Sequence, residues 1–325
     1  MYGLDDLKSQ LRVTDGAVEC PVLGCDQFVA RQRRRFVVDD RFICPVHGIC
    51  ISPTTWKYGG TEDNLLWTAP ADLALLEAIE LDKRESRMAF DNSEDAVTFN
   101  VFRYLERNPA ELAVVLSDMA GHPVSQAELA YWSRHAVSGR RWSPLAEARR
   151  TFGEKEAQGS EPDLIVVAAG ILVFIEAKLT STNVTSAPRS GARKEYLIGA
   201  DAWFGRVFQA DWQSIAVTGR RYELMRFWLL GTWLAADLGL KFRLVSLLPA
   251  RQRTPSRHEP FEDYLCQDDG ARFRIWSWED VRDSLARDGT RDEDGARLAH
   301  YWATKTIGYG SDRRLRPAFR HQGPA

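Results

Sequence analysis

Three ionisable side chains flank an apolar stretch of the sequence at residues 159–181, GSEPDLIVVAAGILVFIEAKLTS. Asp163 precedes the apolar run, and Glu176 and Lys178 end it, two positions apart. Opposed carboxylates repel each other in an apolar setting unless a cation lies between them. Carboxylate oxygens with open water positions suit Mg2+, which polarises a phosphoryl oxygen and acidifies a coordinated water. Since a neighbouring lysine can orient that water, the three residues predict hydrolysis of phosphodiester bonds.

A hairpin would bring these side chains to one place. If the apolar run turns at Ala169 and Gly170, Asp163 lies opposite Glu176, and side-chain alternation puts Lys178 on the same face. Directly opposed residues of antiparallel strands have Cβ atoms roughly 4.5 to 5.5 Å apart, which allows two carboxylates to share a cation. The alternative interpretation is a turn cap at Asp163 and a surface ion pair between Glu176 and Lys178.

The motifs EPD and EAK, separated by twelve residues, resemble the signature of the PD-(D/E)xK nuclease superfamily. The resemblance implies a restriction-endonuclease-like fold, with catalytic Mg2+ or Mn2+ held by Asp163 and Glu176 and with Lys178 acting on the attacking water. It also implies an acid on an upstream helix, for which SEDAVTFNVF offers Glu94, with Asp95 as its rival. The helix after the hairpin often carries a polar residue near the site of this family. The glutamine common there is absent, and the candidates in RYELMRF are Tyr222, Glu223 and Arg226.

Helix and strand signals follow the order that this fold requires. Asp91 or Ser93 can cap a helix that ends before Pro109. RYELMRFWLLGTWLAADLGL predicts a buried helix ending near glycine, and KFRLVSLLP predicts a strand stopped by Pro249. We therefore expect an α/β (α+β) fold in which helices flank a mixed sheet, with poorly defined structure at 110–158 and a long loop at 180–215.

This pattern divides the chain into four parts. We expect a zinc-ribbon-like module at 1–60, a connecting helix at 61–90, the nuclease core at 91–250 and a C-terminal extension at 251–325. The extension is predicted to contain a strand, a helix capped by Ser277 and a basic, frayed tail.

Four of the five cysteines lie within residues 20–50. In CPVLGC and CPVHGIC, the side chains of Cys20, Cys25, Cys44 and His47 have the spacing of a closed tetrahedral site for structural Zn2+. Cys50 competes with His47 as the fourth ligand, because it would make the second turn more like the first. The alternative to a metal site is a group of buried thiols.

Basic residues suggest contacts with nucleic acid. Arginines in a strand-like run on a rigid module can bind phosphates without reading sequence, and such a run can equally be a solvated face. The candidates are Arg31, Arg33, Arg34 and Arg35 in the zinc module and Arg193 and Lys194 in the long loop.

Composition sets wider limits. The formal net charge of −2 excludes a globally basic nucleic-acid binder, and no segment has the charge and length of a secretory signal or a membrane span. We therefore expect a cytoplasmic protein that acts on DNA, or on RNA, as a restriction or defence endonuclease. Alternatives are a repair or RNA-processing nuclease and a non-catalytic binding module. A homodimer or a defence-system partner protein is expected by analogy alone.

Overall fold

The computed structural model describes residues 2–8, 10–82, 86–155, 159–187, 193–253, 261–287, 292–310, 312 and 314–319. The strands are β1 (Ala17–Glu19), β2 (Phe28–Ala30), β3 (Cys50–Ile51), β4 (Trp56–Lys57), β5 (Ala127–Tyr131), β6 (Arg134–His135), β7 (Leu164–Ala168), β8 (Ile171–Ala177), β9 (Lys241–Leu248), β10 (Ala271–Ser277), β11 (Thr306–Tyr309) and β12 (Leu315–Pro317). The α-helices are α1 (Pro70–Glu80), α2 (Glu94–Arg107), α3 (Pro109–Ala120), α4 (Ser143–Thr151), α5 (Arg193–Ala202), α6 (Phe204–Val207), α7 (Tyr222–Leu238), α8 (Trp278–Ala286) and α9 (Glu293–Thr304).

A six-stranded mixed sheet with the order β10-β9-β8-β7-β5-β6 forms the centre. Strands β7 and β8 form the predicted hairpin with the predicted register, since Leu164 pairs with Ile175 and Ala168 with Ile171. Strands β9 and β10 run parallel to β8. The predicted α/β class with a mixed sheet and flanking helices is confirmed, and the architecture is compatible with a restriction-endonuclease-like fold.

Both faces of the sheet are buried, which explains why β7 and β8 are apolar throughout rather than alternating. Val166 and Val173 belong to a core shared with α2, α3 and α8. Ile165 and Phe174 belong to a second core shared with α4 and α7. Because Glu176 is two residues from Phe174, it follows the α7 side of the sheet.

The predicted helix ends agree with the structure. Ser93 caps α2 by accepting a hydrogen bond from the Ala96 amide, and Ser277 forms a capping box with Asp280 at the start of α8. Gly239 ends α7 with a φ of 67°, a left-handed conformation that glycine adopts without steric cost. The first turn of α2 therefore starts at Glu94, the acid proposed for the active site.

Three expectations about irregular regions were wrong. Residues 110–158 contain α3, β5, β6 and α4, and residues 180–215 contain α5 and α6. The C-terminal segment is not frayed up to its last described residue, because β12 pairs with β11 and Phe319 is buried. These elements are short, and tertiary packing supplies most of the stability of short elements.

A buried polar cluster joins the N-terminal module to the C-terminal segment. The ammonium group of Lys305 donates to Oδ1 of Asn64 at 2.6 Å and to Oδ1 of Asp91 at 3.1 Å. The Tyr58 hydroxyl, beneath the cysteine turns, also donates to Asp91. Asp91 lies just before the cap of α2, so this cluster connects the N-terminal module and the C-terminal segment to that helix. Among the described residues, no helix combines the length and apolar character needed to cross a membrane.

Candidate active site and metal centre

The hairpin end gathers the ionisable residues that the sequence singles out. Glu176 and Lys178 are both buried, and the Lys178 ammonium contacts the Glu176 carboxylate. The hairpin register, continued by one residue, places Asp163 opposite Glu176. The buried pair differs from the surface ion pair of the alternative interpretation.

Both carboxylate oxygens of Asp163 accept hydrogen bonds. The indole N–H of Trp132 donates to Oδ1 at 2.8 Å, and the amide of Ala177 donates to Oδ2 at 2.8 Å. These bonds orient the carboxylate at the point where β7 begins. Each carboxylate oxygen can accept more than one bond, so this pattern is compatible with a cation ligand.

Glu94 reaches the hairpin from the opposite face of the sheet. Its Oε2 atom accepts hydrogen bonds from the Leu179 amide at 3.1 Å and from the Ser181 hydroxyl at 2.8 Å. The carboxylate of α2 therefore lies beside the residues that follow Lys178. This position supports Glu94 as the upstream acid that the resemblance implies.

The three candidates on α7 have different surroundings. Glu223 lies beside the hairpin, with its Oε2 atom 3.5 Å from Nζ of Lys178. Arg226 instead forms an ion pair with Glu154, and the ring of Tyr222 packs against the ring of Trp212. Glu223 is thus the candidate that extends the ionisable cluster.

Burial and like charge dominate the electrostatics of this cluster. Burial raises the pKa of Glu176 well above its usual range, and the charge of Asp163 raises it further. Burial lowers the pKa of Lys178, but the charge of Glu176, with that of Glu223, outweighs this effect and raises it well above its usual range. Excess negative charge around one ammonium group favours binding of a further cation. Asp163, Glu176 and Glu94 supply oxygen donors of the type that a hard divalent ion prefers. Among the described residues, however, only the ligand atoms of Cys20, Cys25, Cys44 and His47 cluster within 4.8 Å of one another.

Sequence reasoning missed several residues around the site. Trp132 lies in a turn that was not predicted, and its contact with Asp163 leaves no local signal in the sequence. Ser246 is the β9 partner of Glu176 and accepts a hydrogen bond from the amide of Asn183. The Asn183 Oδ1 atom is buried and has no hydrogen-bond partner among the described residues. In the sequence, the only indication that Asn183 lies near the site is its position six residues after the end of β8.

Residues beyond the predicted core also support the site. The Trp278 indole donates to the carbonyl oxygen of Lys178 at 3.0 Å. The Arg251 guanidinium donates to the carbonyl oxygen of Leu179 at 2.8 Å. The C-terminal extension therefore holds the backbone that carries the catalytic lysine candidate.

A second cluster lies in the N-terminal module and could bind zinc. The ligand atoms of Cys20, Cys25, Cys44 and His47 all lie within 4.8 Å of one another. The Nδ1 atom of His47 is 3.5 Å from the Cys20 sulfur, and the Cys25 and Cys44 sulfurs are 3.9 Å apart. A tetrahedral ion with metal–sulfur bonds of about 2.3 Å separates its ligands by roughly 3.8 Å.

Cys50 has different neighbours from the other three cysteines of the module. Its sulfur lies 3.6 Å from the amide nitrogen of Gln32 and 3.8 Å from the carbonyl oxygen of Val37. The geometry therefore favours His47 over Cys50 as the fourth ligand. Burial raises the pKa of the Cys20 thiol, so a thiolate there requires a compensating cation.

The arginine run forms a loop after β2 rather than the strand-like segment expected. Arg33, Arg34 and Arg35 are exposed in this loop. The buried side chain of Gln32 braces it, accepting from the Val37 amide at 2.7 Å and donating to the Val37 carbonyl at 3.0 Å. We refer to residues 33–35 as the arginine loop.

The arginine loop is anchored near the start of α2. Phe36 packs on Phe90 with ring centroids 5.0 Å apart, and Phe90 precedes Glu94 by four residues. Arg31 lies apart from the loop, with its guanidinium over the Tyr309 ring at 4.0 Å. Lys194 is exposed on α5, and the side chain of Arg193 lies outside the described residues.

Comparisons with known proteins add family information. A family model described as "Restriction Endonuclease associating with ARP" matches residues 72–305. This range includes the hairpin, α2 and α7, and it begins after the cysteine cluster. No curated protein and no solved structure gives a significant match to the chain.

Proposed function

Since this chain belongs to the family of restriction endonucleases described as associating with ARP, which implies a nuclease, we propose that it is a Mg2+-dependent endonuclease that cuts DNA. The observation that supports this proposal is the meeting of Glu94, Asp163, Glu176 and Lys178 at one strand end. Glu94 is 69 residues before Asp163 in the sequence, yet it bonds to the backbone directly after Lys178. Such a set of carboxylates and one lysine has the composition of a PD-(D/E)xK site.

The proposed mechanism assigns a role to each side chain. Asp163, Glu176 and Glu94 would hold Mg2+ or Mn2+. When bound, the ion polarises the scissile phosphate and lowers the pKa of a coordinated water. Lys178 orients the attacking oxygen and stabilises the negative charge that develops on the phosphate. Glu176 keeps the Lys178 ammonium at the hairpin end through their direct contact.

The arginine loop supports a polyanionic substrate. Its three exposed arginines lie on a loop that is held by the Gln32 brace and by the contact of Phe36 with Phe90. Because Phe90 leads into α2, phosphates bound by this loop would lie on the side of the molecule from which Glu94 enters the site. Arginine contacts of this kind add affinity without sequence specificity. The family description favours DNA over RNA as the substrate and restriction or antiviral defence over repair.

We further propose that Cys20, Cys25, Cys44 and His47 bind one structural Zn2+. The closed set of three sulfurs and one nitrogen leaves no coordination position for a substrate. Zinc would hold the two cysteine turns together, and Tyr2, which packs edge-on against His47, would cover the site. The ion thereby stabilises the module that carries the arginine loop.

The test is cleavage of plasmid DNA, linear DNA and RNA by the purified full chain, with Mg2+ or with EDTA. Asp163→Asn and Lys178→Met are each expected to lower the rate by about 10²- to 10³-fold. Asp237→Asn and Lys241→Met make the same chemical changes at exposed positions and are expected to leave cleavage unchanged. Undiminished cleavage by either site variant would refute the active-site assignment. DNA binding without cleavage under all conditions would instead support the non-catalytic binding module.

A further inference from the structure

The turn between β5 and β6 has an unusual backbone conformation. Tyr131 pairs with Arg134, so Trp132 and Ser133 are the two residues of the turn. Their φ angles are 44° and 64°. Two-residue turns with positive φ at both positions normally use asparagine and glycine, because larger side chains are strained there. A tryptophan in this conformation requires an explanation from its contacts.

Those contacts are with Asp163. The Trp132 indole N–H donates to Oδ1 of Asp163 at 2.8 Å, and its backbone amide donates to the Asp163 carbonyl at 3.1 Å. The Trp132 side chain is buried, with 3% of the residue exposed. The turn thus bonds to both the side chain and the backbone of the same residue, just before β7 begins.

We propose that Trp132 is the positioning residue for Asp163. The indole is a donor with no acceptor atom, so it fixes one carboxylate oxygen without competing for a cation. Together with the Ala177 amide on Oδ2, it holds both oxygens of the carboxylate in a fixed orientation. The two bonds of Trp132 to Asp163 offset the backbone strain of the turn. This inference rests on the proposed cation site.

The test compares Trp132→Phe, which keeps a ring but removes the N–H, with Trp203→Phe. The Trp203 indole donates to the Thr232 hydroxyl at 2.9 Å, so the control loses an equivalent bond. We expect Trp132→Phe to raise the Mg2+ concentration for half-maximal cleavage by about 10- to 100-fold, as for other residues that orient metal ligands. The rate at saturating Mg2+ should change much less. Trp203→Phe should leave the Mg2+ dependence unchanged.

Terbium luminescence gives a readout that does not require cleavage. Tb3+ bound to Asp163 in the wild-type protein should emit when the indole of Trp132 is excited. Trp132→Phe should lower this emission, with Trp278 beside Lys178 remaining as a second indole donor, and should bind Tb3+ more weakly under direct excitation. Trp203→Phe should retain both properties.

The outcomes separate two failures. If the wild-type protein neither binds Tb3+ nor cleaves with Mg2+, the proposed function fails. If the wild-type protein cleaves DNA and Trp132→Phe needs no more than about twice as much Mg2+ for half-maximal cleavage, the positioning role is refuted, since such residues usually contribute about 10- to 100-fold. The proposal of a nuclease would still stand. If Trp132→Phe does not fold, the test uses the wild-type protein alone. Tb3+ that binds the wild-type protein but does not emit when tryptophan is excited would contradict the proposal.

Discussion

The ammonium group of Lys178 lies between a buried and a partly exposed carboxylate. It contacts Glu176, whose side chain is 4% exposed, and it is 3.5 Å from Glu223, whose side chain is 33% exposed. The hairpin pairs Lys178 with one carboxylate, that of Glu176. The first turn of α7 adds a second one, that of Glu223. Both acids raise the pKa of Lys178, which keeps it protonated.

Replacing Glu223 with glutamine tests this arrangement through pH. The charge of Glu223 also raises the pKa of Glu176, so Glu223→Gln should lower that pKa. Glu176 would then lose its proton at a lower pH, and the acidic limb of the cleavage rate against pH should move to lower pH. The maximal rate should fall much less than it does in Lys178→Met, since Lys178 keeps its contact with Glu176. A profile that stays in place or moves to higher pH would contradict the electrostatic coupling.

Zinc content tests the choice between His47 and Cys50. We expect about one equivalent of Zn2+ per chain in the wild-type protein, as for a single four-ligand site. Cys44→Ser and His47→Ala should lose most of the metal and lower the midpoint of thermal unfolding. Cys50→Ser should keep the full zinc content, because the Cys50 sulfur lies near Gln32 and Val37. Elemental analysis of the dialysed proteins measures the difference, and zinc loss in Cys50→Ser would reverse the assignment.

The arginine loop should contribute to DNA binding through phosphates. Arg33→Ala combined with Arg34→Ala is expected to weaken binding similarly for all sequences. The slope of log affinity against log salt should become shallower by up to about 1.8, because each phosphate contact contributes about 0.9. Binding is measured by fluorescence anisotropy with short duplexes and EDTA.

A matched control removes the same charge elsewhere. Lys241 and Arg272 lie at the starts of β9 and β10, at the opposite end of the strands from Ser246, the β9 partner of Glu176. Lys241→Ala combined with Arg272→Ala should leave the salt slope near the wild-type value. If both double variants change the salt slope equally, the arginine loop makes no specific contribution to DNA binding.

Glu19 should stabilise the N-terminal module in a pH-dependent manner. Hydrogen bonds from Arg12 lower the pKa of Glu19 to about 2, and Lys8 adds to this effect against the opposing influence of burial. Because the folded pKa is below the usual value, the stabilisation is present above about pH 4.3 and is lost as pH falls to about 2.

At pH 7, Glu19→Gln is expected to lower the free energy of unfolding by about 1 to 2 kcal/mol. This is less than the full shift implies, since the Arg12 side chain is 65% exposed and screened by solvent. The deficit should shrink as the pH is lowered below 4, while the exposed Glu147→Gln control shows little deficit at any pH. Urea denaturation across this pH range measures the loss in the free energy of unfolding. A loss that stays constant with pH would rule out the charge of Glu19 as its cause.

The sequence by itself determined the local features of this protein. The length of the apolar run and its central glycine set the register of β7 and β8, because side chains alternate with a period of two along a strand. Ser93, Gly239 and Ser277 marked helix ends through hydrogen-bonding and backbone preferences that operate over a few residues. The cysteine spacing indicated the members of the N-terminal cluster for the same local reason.

Only the tertiary structure decided how distant segments complete the sites. No local pattern predicts that Trp132 bonds to Asp163, that Glu94 reaches the amide of Leu179, or that Trp278 holds the carbonyl of Lys178. The short turn in CPVHGIC already favoured His47 over Cys50, and the structure adds that the Cys50 sulfur lies beside Gln32 and Val37. Such contacts join residues tens of positions apart, and packing of the two cores around one sheet sets their distances.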